Sequence, residues 1–410
     1  MKHTLSQLAL FGGAPAFAEP LHVGRPNIGD RARLLERINH ILDERWLTNA
    51  GPYVQEFEER IARMIGVKHC VAMCNATVAL EIAIRALGMT GEVVVPSMTF
   101  VATAHALQWQ QITPVFCDID PDTLTLAPRR IEELLTPRTT GIIGVHLWGR
   151  ACDTDAIQSL ARRHNLRVLY DAAHAFASTH KGKMVGNFGD AEVFSFHATK
   201  FFNTLEGGAV VTNDDELAAK LRLMKNFGFA GYDNVVYVGT NGKMSEVSAA
   251  MGLTGLESLD EFIAVNCAHY QQYNAELAGV RGVRVLPYDA GERANYQYVV
   301  LDIDAAETGV TRDQLLEMLW AENVRARRYF FPGVHRMEPY RSLYPMTHRR
   351  LPVTENMVAR VLVLPTGTAV SGDDIRAICQ LLRLVTEQHT EFARTWNERQ
   401  RAPALFSVPV

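Results

Sequence analysis

Four short stretches carry residue types that do chemistry, and each follows an apolar or β-branched run that reads as a strand. Cys74-Asn75-Ala76-Thr77 follows His69–Met73 and opens a helical pattern. Free N–H groups at a helix start make an anion site suited to a phosphate; plain capping by Asn75 or Thr77 is the simpler account. Ser97-Met98-Thr99-Phe100 follows the run that ends at Pro96. Phe100 either covers a flat ring or is ordinary core. Asp171-Ala172-Ala173-His174 follows Arg167–Tyr170. A carboxylate at the mouth of a buried strand needs a partner. That partner is a cationic ring nitrogen, or else Asp171 is a structural salt bridge or cap. His174 touches the same ligand or only packs. Finally, Glu192–Phe196 leads through His197-Ala198-Thr199 to Lys200, among apolar and small residues. Such a lysine snorkels to water, or is held buried with a lowered pKa and an amine competent toward carbonyls.

The four stretches reinforce one another. A phosphate cradle, a flat aromatic, an acid for a ring nitrogen and a Schiff-base lysine are the parts that hold pyridoxal 5'-phosphate. The acid lies 95 residues after Ala76 and the lysine 29 residues after the acid, an order that one sheet can bring together, because ligands sit beyond the carboxyl ends of parallel strands.

The elements around them read accordingly. Strand candidates are 69–73, 91–96, 113–117, 141–146, 167–170, 192–196 and 208–212, with helical material between most of them. Alternation of this kind implies crossovers and a largely parallel sheet covered on both faces. Beyond Gly242 the pattern changes. Residues 244–262 read as one long helix and 265–277 as another. Strands at 283–286 and 296–303 then alternate with helices near 312–322 and 372–387. The division expected is 1–265 for an N-terminal arm and large cofactor domain, 266–390 for a smaller α+β domain, and 391–410 for a frayed tail.

Composition bounds the rest. The chain has 410 residues, 48% hydrophobic and 21% charged, with net charge −4. These values suit a globular protein of about two domains and argue against a broad basic face for nucleic acid. No apolar run reaches the roughly 18–20 residues of a membrane span. Six scattered cysteines without a CxxC pair read as reduced cytoplasmic thiols, not as a disulfide frame or metal site.

At this level the chain resembles the DegT/DnrJ/EryC1/StrS family, fold-type-I pyridoxal-phosphate aminotransferases acting on nucleotide-linked keto sugars. The runs that carry the resemblance are 46–52 (WLTNAGP), 113–121 (TPVFCDIDP), 146–150 (HLWGR), 171–174 (DAAH), 195–200 with 206–212, and 241–246 (NGKMSE). The resemblance as a whole runs from about Leu10 to Val385. The runs 194–200, 240–246 and 364–369 look most like members of the desosamine route that aminate dTDP-4-keto-6-deoxyglucose at C4. The resemblance implies an α/β fold with a mostly parallel seven-stranded sheet and a smaller C-terminal domain. It implies amino transfer from L-glutamate, with the cofactor passing through pyridoxamine 5'-phosphate.

Position by position, it makes Lys200 the Schiff-base lysine that later moves the proton, and Asp171 the partner of the pyridine nitrogen. Phe100 stacks on the ring. Ala76, Thr77 and Ser195 hold the phosphate, Asn75, Ala173 and His197 line the cofactor site, and His174 lies near the ring hydroxyl. Asn241 reaches the phosphate of a second subunit, which implies a homodimer with shared sites. Thr48, Asn49, Tyr329 and His335 face the sugar. Amination at C3, and an inositol or other keto sugar, are the alternatives within the family. A sugar 3-dehydratase of the same fold is disfavoured, because those relatives carry histidine where Lys200 stands. A regulator of the same fold would lack the lysine or carry a DNA-binding appendage. A nicotinamide dehydrogenase needs a GxGxxG fingerprint that is absent.

Overall fold

The computed structural model describes residues 2–401. Seven strands make the central sheet: β1 His69–Met73, β2 Glu92–Pro96, β3 Thr113–Cys117, β4 Thr139–Val145, β5 Arg167–Asp171, β6 Ala191–Ser195 and β7 Gly208–Thr212. Their spatial order is β1-β7-β6-β5-β4-β2-β3, with β7 antiparallel to both neighbours and the other pairs parallel. Strands β2, β6 and β7 are buried at every position. Their valine-rich runs therefore lack the polar alternation of a one-sided sheet. Helices cover both faces. One face packs on a core that includes Leu80, Ile84, Val93 and Leu107, the other on Phe57, Phe176, Phe194 and Phe202.

Register places the chemistry. Gly208, the first residue of β7, pairs with Met73 at the end of β1 and with Ser195 at the end of β6. Val145 at the end of β4 pairs with Asp171 at the end of β5. The stretches singled out in the sequence thus emerge from one edge of one sheet.

The smaller domain has a three-stranded antiparallel sheet: β8 Val283–Val285, β9 Val299–Ile303 and β10 Val361–Leu364. Strand β10 has no counterpart in the sequence reading. Strand β9 is shorter than the expected 296–303, because Tyr296 takes a left-handed φ of 49° and Asn295 binds the following Gln297 N–H. The expected helix over 244–262 divides at Ser258, whose φ of −108° and ψ of 10° leave the helical region, giving Glu246–Glu257 and Leu259–Leu277. Packing accounts for the new start. Leu259 and Phe262 anchor the second helix in the large-domain core, while Tyr273 and Leu277 lie in the core of the smaller domain. One helix therefore joins the two, and residue 265 lies inside it.

Both chain ends differ from expectation. Leu5, Leu8 and Leu10 are buried in the small-domain core, so this first stretch packs away from the large domain with which it was grouped. Buried Glu322 holds it by accepting from Lys2 Nζ and from the Ala9 and Ala16 N–H groups. The frayed tail is corrected to a helix, His389–Arg401. Its apolar side is what the polar composition hides: Phe392 is fully buried and its ring lies 5.5 Å from Phe11. Residues 402–410 of the expected tail lie outside the described residues.

Candidate active site

A cavity of about 650 Å³ opens where β1, β5 and β6 end. Asn75, Ala76, Thr77, Phe100, Asp171, Ala173, His174, Ser195, His197, Lys200 and Tyr329 all line it. The four stretches read from the sequence therefore meet at one place.

The cradle comes first. The Asn75 side chain accepts from the Val78 N–H at 2.8 Å, capping the helix Ala76–Ala86. Capping and anion binding are compatible here. The N–H groups of Ala76 and Thr77 belong to the unpaired first turn, and both residues border the cavity. Gly208 lies so close behind that a Cβ on it would meet Ala76 N at 2.6 Å and Ala76 Cα at 2.8 Å.

Asp171 ends β5 with only 6% of its surface exposed. Its Oδ2 accepts from Thr103 Oγ1 at 2.8 Å and its Oδ1 from the Ala173 N–H at 3.1 Å. Because the Thr103 hydroxyl donates to the acid, its oxygen is left to accept from Thr99 Oγ1 at 2.9 Å. Burial raises the carboxyl above its usual range, with the Thr103 and Ala173 bonds and the Lys200 charge working against that rise. A buried acid in this condition gains from a cationic hydrogen-bond donor.

Lys200 donates from Nζ to the Tyr298 hydroxyl at 3.3 Å. Desolvation lowers its amine to about 8, with Asp171 opposing. The phenol of Tyr298 is itself pushed well above its ordinary value by burial, so it stays protonated and accepts with its oxygen.

His174 is 6% exposed. It stacks on Phe330 at 5.7 Å with 8° between the planes and lies 4.6 Å from the Tyr298 ring. Its Nδ1 accepts from the Trp148 N–H at 3.3 Å, and burial holds the ring well below the usual imidazole range. The imidazole is thus neutral with its proton on Nε2. Asn295 of the smaller domain binds the carbonyls of His174 and Phe176 through Nδ2, at 2.9 and 3.0 Å, which fixes this turn from the other side.

Phe100 is 57% exposed and faces Phe330 at 6.2 Å, leaving a ring face at the cavity instead of in the core. At the mouth, His197 Nε2 pairs with Glu206 at 3.3 Å.

Four of the expected residues lie elsewhere. His335 is buried. Its Nε2 donates to Glu355 at 2.5 Å and its Nδ1 meets Ser97 Oγ at 2.6 Å, so it braces the loop beneath the cavity without forming its wall. Thr48 and Asn49 are exposed; Asn49 borders a separate hollow of about 180 Å³ with Lys225, Asn226 and Lys243. Asn241 is exposed and bridges to Asn226. Sequence reasoning missed Thr103, Tyr298, Phe330 and Arg327. Only Thr103 left a signal, a second hydroxyl four residues after Thr99, at the start of the helix Ala102–Gln108. No His/Cys/Asp/Glu cluster among the described residues could hold a metal ion, and no described helix is long and apolar enough to cross a membrane.

Comparison with known proteins agrees with this arrangement. Residues 29–383 match the DegT/DnrJ/EryC1/StrS aminotransferase family. The crystal structure of DesI in the presence of its TDP-sugar product superposes with a TM-score of 0.92 at 52% identity, covering 96% of this chain and 100% of DesI. The dTDP-4-amino-4,6-dideoxy-D-glucose transaminase of Shigella dysenteriae is 37% identical over 365 residues, 89% of this chain and 99% of the relative. GDP-perosamine synthase of Caulobacter vibrioides is 36% identical over 368 residues, 88% and 97% of the two chains. A fold of this kind hosts many reactions, but coverage this complete, over a cavity that unites lysine, acid and helix start, leaves one assignment: the chain belongs to the DegT/DnrJ/EryC1/StrS aminotransferase family.

Proposed function

We propose that this protein transfers the amino group of L-glutamate to C4 of dTDP-4-keto-6-deoxy-D-glucose, using pyridoxal 5'-phosphate. The observation that carries the chemistry is the convergence of Lys200, Asp171 and the helix start at Ala76 in one cavity. The choice of sugar rests on the likeness to DesI and to the Shigella transaminase.

The donor set suits the cofactor. The first N–H groups of Ala76–Ala86 and the Ser195 hydroxyl would take the phosphate, and Asp171 the protonated ring nitrogen. Phe100 would cover the ring, and His174 Nε2–H would donate to its hydroxyl. When bound, the cofactor accepts the amino group and spreads the negative charge left at carbon as a proton departs.

Every other part of the step belongs to this chain. Lys200 Nζ, lowered to about 8, is unprotonated often enough near neutrality to take a proton and return it. The Tyr298 hydroxyl orients that amine. The Thr103 and Ala173 bonds work against the rise that burial imposes on Asp171 and favour the ionised form that would hold a positive ring nitrogen. Neutral His174 donates a hydrogen bond without adding a second cation beside Lys200.

The working unit is a homodimer. Trp46 and Leu47 are about half exposed, and the turn from Phe227 to Val238 leaves Phe227, Phe229, Tyr232 and Val238 exposed. An apolar surface of this kind supports burial against a second copy, which is where Asn49 and Asn241 would find a role.

The test is direct. Purified protein with pyridoxal 5'-phosphate and L-glutamate is offered dTDP-, UDP- and GDP-linked keto sugars, and products are followed by mass. An amino sugar formed fastest from dTDP-4-keto-6-deoxyglucose is expected. Faster turnover of a 3-keto or GDP-linked sugar overturns the substrate, and no amino sugar from any of them overturns the reaction.

A further inference from the structure

Arg327 borders the same cavity and, unlike Arg328 and Arg336, has no acidic partner among the described residues. Its guanidinium carbon lies 5.4 Å from the centre of the Tyr329 ring. Arg328, next in the chain, pairs with Asp313 at 3.0 Å, and Arg336 pairs with Glu355 at 2.7 Å. The Arg327 main chain is fixed to β10: its N–H donates to Val363 O at 3.0 Å, and its carbonyl accepts from the Val363 N–H at 2.8 Å. A rigid backbone therefore presents an uncompensated cation to the cavity. The other charged walls are engaged. Asp171 is bonded by Thr103 and Ala173, Glu206 is paired with His197, and Lys200 is the reacting amine.

A guanidinium in this state matches a carboxylate or a phosphate through two parallel N–H bonds. A transaminase that works in two half-reactions admits two different substrates to one site. On the function proposed above, on which this inference rests, both are anions. Glutamate carries its γ-carboxylate at the end of the chain remote from the amine. The sugar carries its diphosphate on C1, across the ring from the C4 carbonyl. Each puts negative charge on the side away from the reacting atom. We infer that Arg327 anchors both in turn, the γ-carboxylate of the donor and then the diphosphate of the acceptor.

Arg327→Gln and Arg327→Met, each loaded with pyridoxal 5'-phosphate, separate this role from a structural one. The donor half is read as the rate at which L-glutamate, against L-norvaline, bleaches the visible band; norvaline keeps a similar chain but has no γ-carboxylate. The acceptor half is read as dTDP affinity by calorimetry. Both variants are expected to lose about tenfold or more of the preference for glutamate over norvaline, and to bind dTDP about tenfold or more weakly. An equal loss for glutamate and norvaline, an unchanged dTDP affinity, or an effect in one variant only overturns the shared anchor. A wild-type enzyme that bleaches with neither amino acid overturns the proposed function and this inference together. A reacting wild type beside variants that keep both properties overturns the inference alone.

Discussion

At the residue scale the site is a set of ionisable groups whose environments set them apart. Lys200 is moved down by burial and Asp171 up, so their protonation states are less secure than those of the free side chains. For the lysine the sign is simple: its amine becomes nucleophilic above its pKa. Capture of pyridoxal 5'-phosphate by the cofactor-free protein should accelerate through about pH 8 and then level, as stopped-flow absorbance would record. Lys200→Ala should lose both the visible band and turnover; a yellow, active variant would sink the assignment.

Thr103 tests the acid. Its hydroxyl lowers the Asp171 carboxyl, so Thr103→Val should raise it further. The acidic limb of the pH–rate profile then moves to higher pH, with kcat/KM at neutral pH falling about tenfold, in line with one lost hydrogen bond to a charged group. Thr103→Ser, which restores a donor, should recover most of that loss.

At the element scale the cradle depends on how closely β7 passes behind the helix Ala76–Ala86. The atoms that a Gly208 Cβ would strike are main chain, including Ala76 N, and cannot swing aside as a flexible side chain does. Gly208→Ala should therefore lower stability by about 1–3 kcal/mol and weaken cofactor binding, checked by thermal melting and by titration with pyridoxal 5'-phosphate. A variant with unaltered cofactor affinity would mean that the strand can retreat without disturbing the helix start. The strand runs themselves were legible because buried parallel strands are continuous β-branched stretches bounded by turns. The break at Ser258 was not, since a serine between two apolar-periodic helices carries no stop signal of its own.

At the scale of the whole molecule, both chain ends belong to the small-domain core. Phe392 is fully buried there beside Phe11. Replacing it with alanine should cost about 3–5 kcal/mol. It should also lower the melting temperature, an outcome that a loose tail would not give. A melting curve that matches wild type would show the terminal helix to be dispensable. The two cores are joined by the helix Leu259–Leu277 and by Asn295, which reaches across to the His174 turn. The smaller domain therefore does more than cover the cavity: it supplies Tyr298, Arg327 and Phe330 to its wall.

The sequence by itself determined the seven strands, their largely parallel sheet, and the residue types at the strand ends that suit pyridoxal phosphate. Those features are local, each written in a run of a few residues with its own periodicity or polarity. Tertiary structure alone decided which groups those residues meet. Thr103 reaches Asp171 across 68 positions and Tyr298 reaches Lys200 across 98, and nothing in either sequence neighbourhood announces the other. It also turned His335 inward, because Ser97 and Glu355 happen to lie where both ring nitrogens can be satisfied. Burial and pairing are properties of the assembled chain. A sequence therefore names the reactive groups well before it tells how each is tuned.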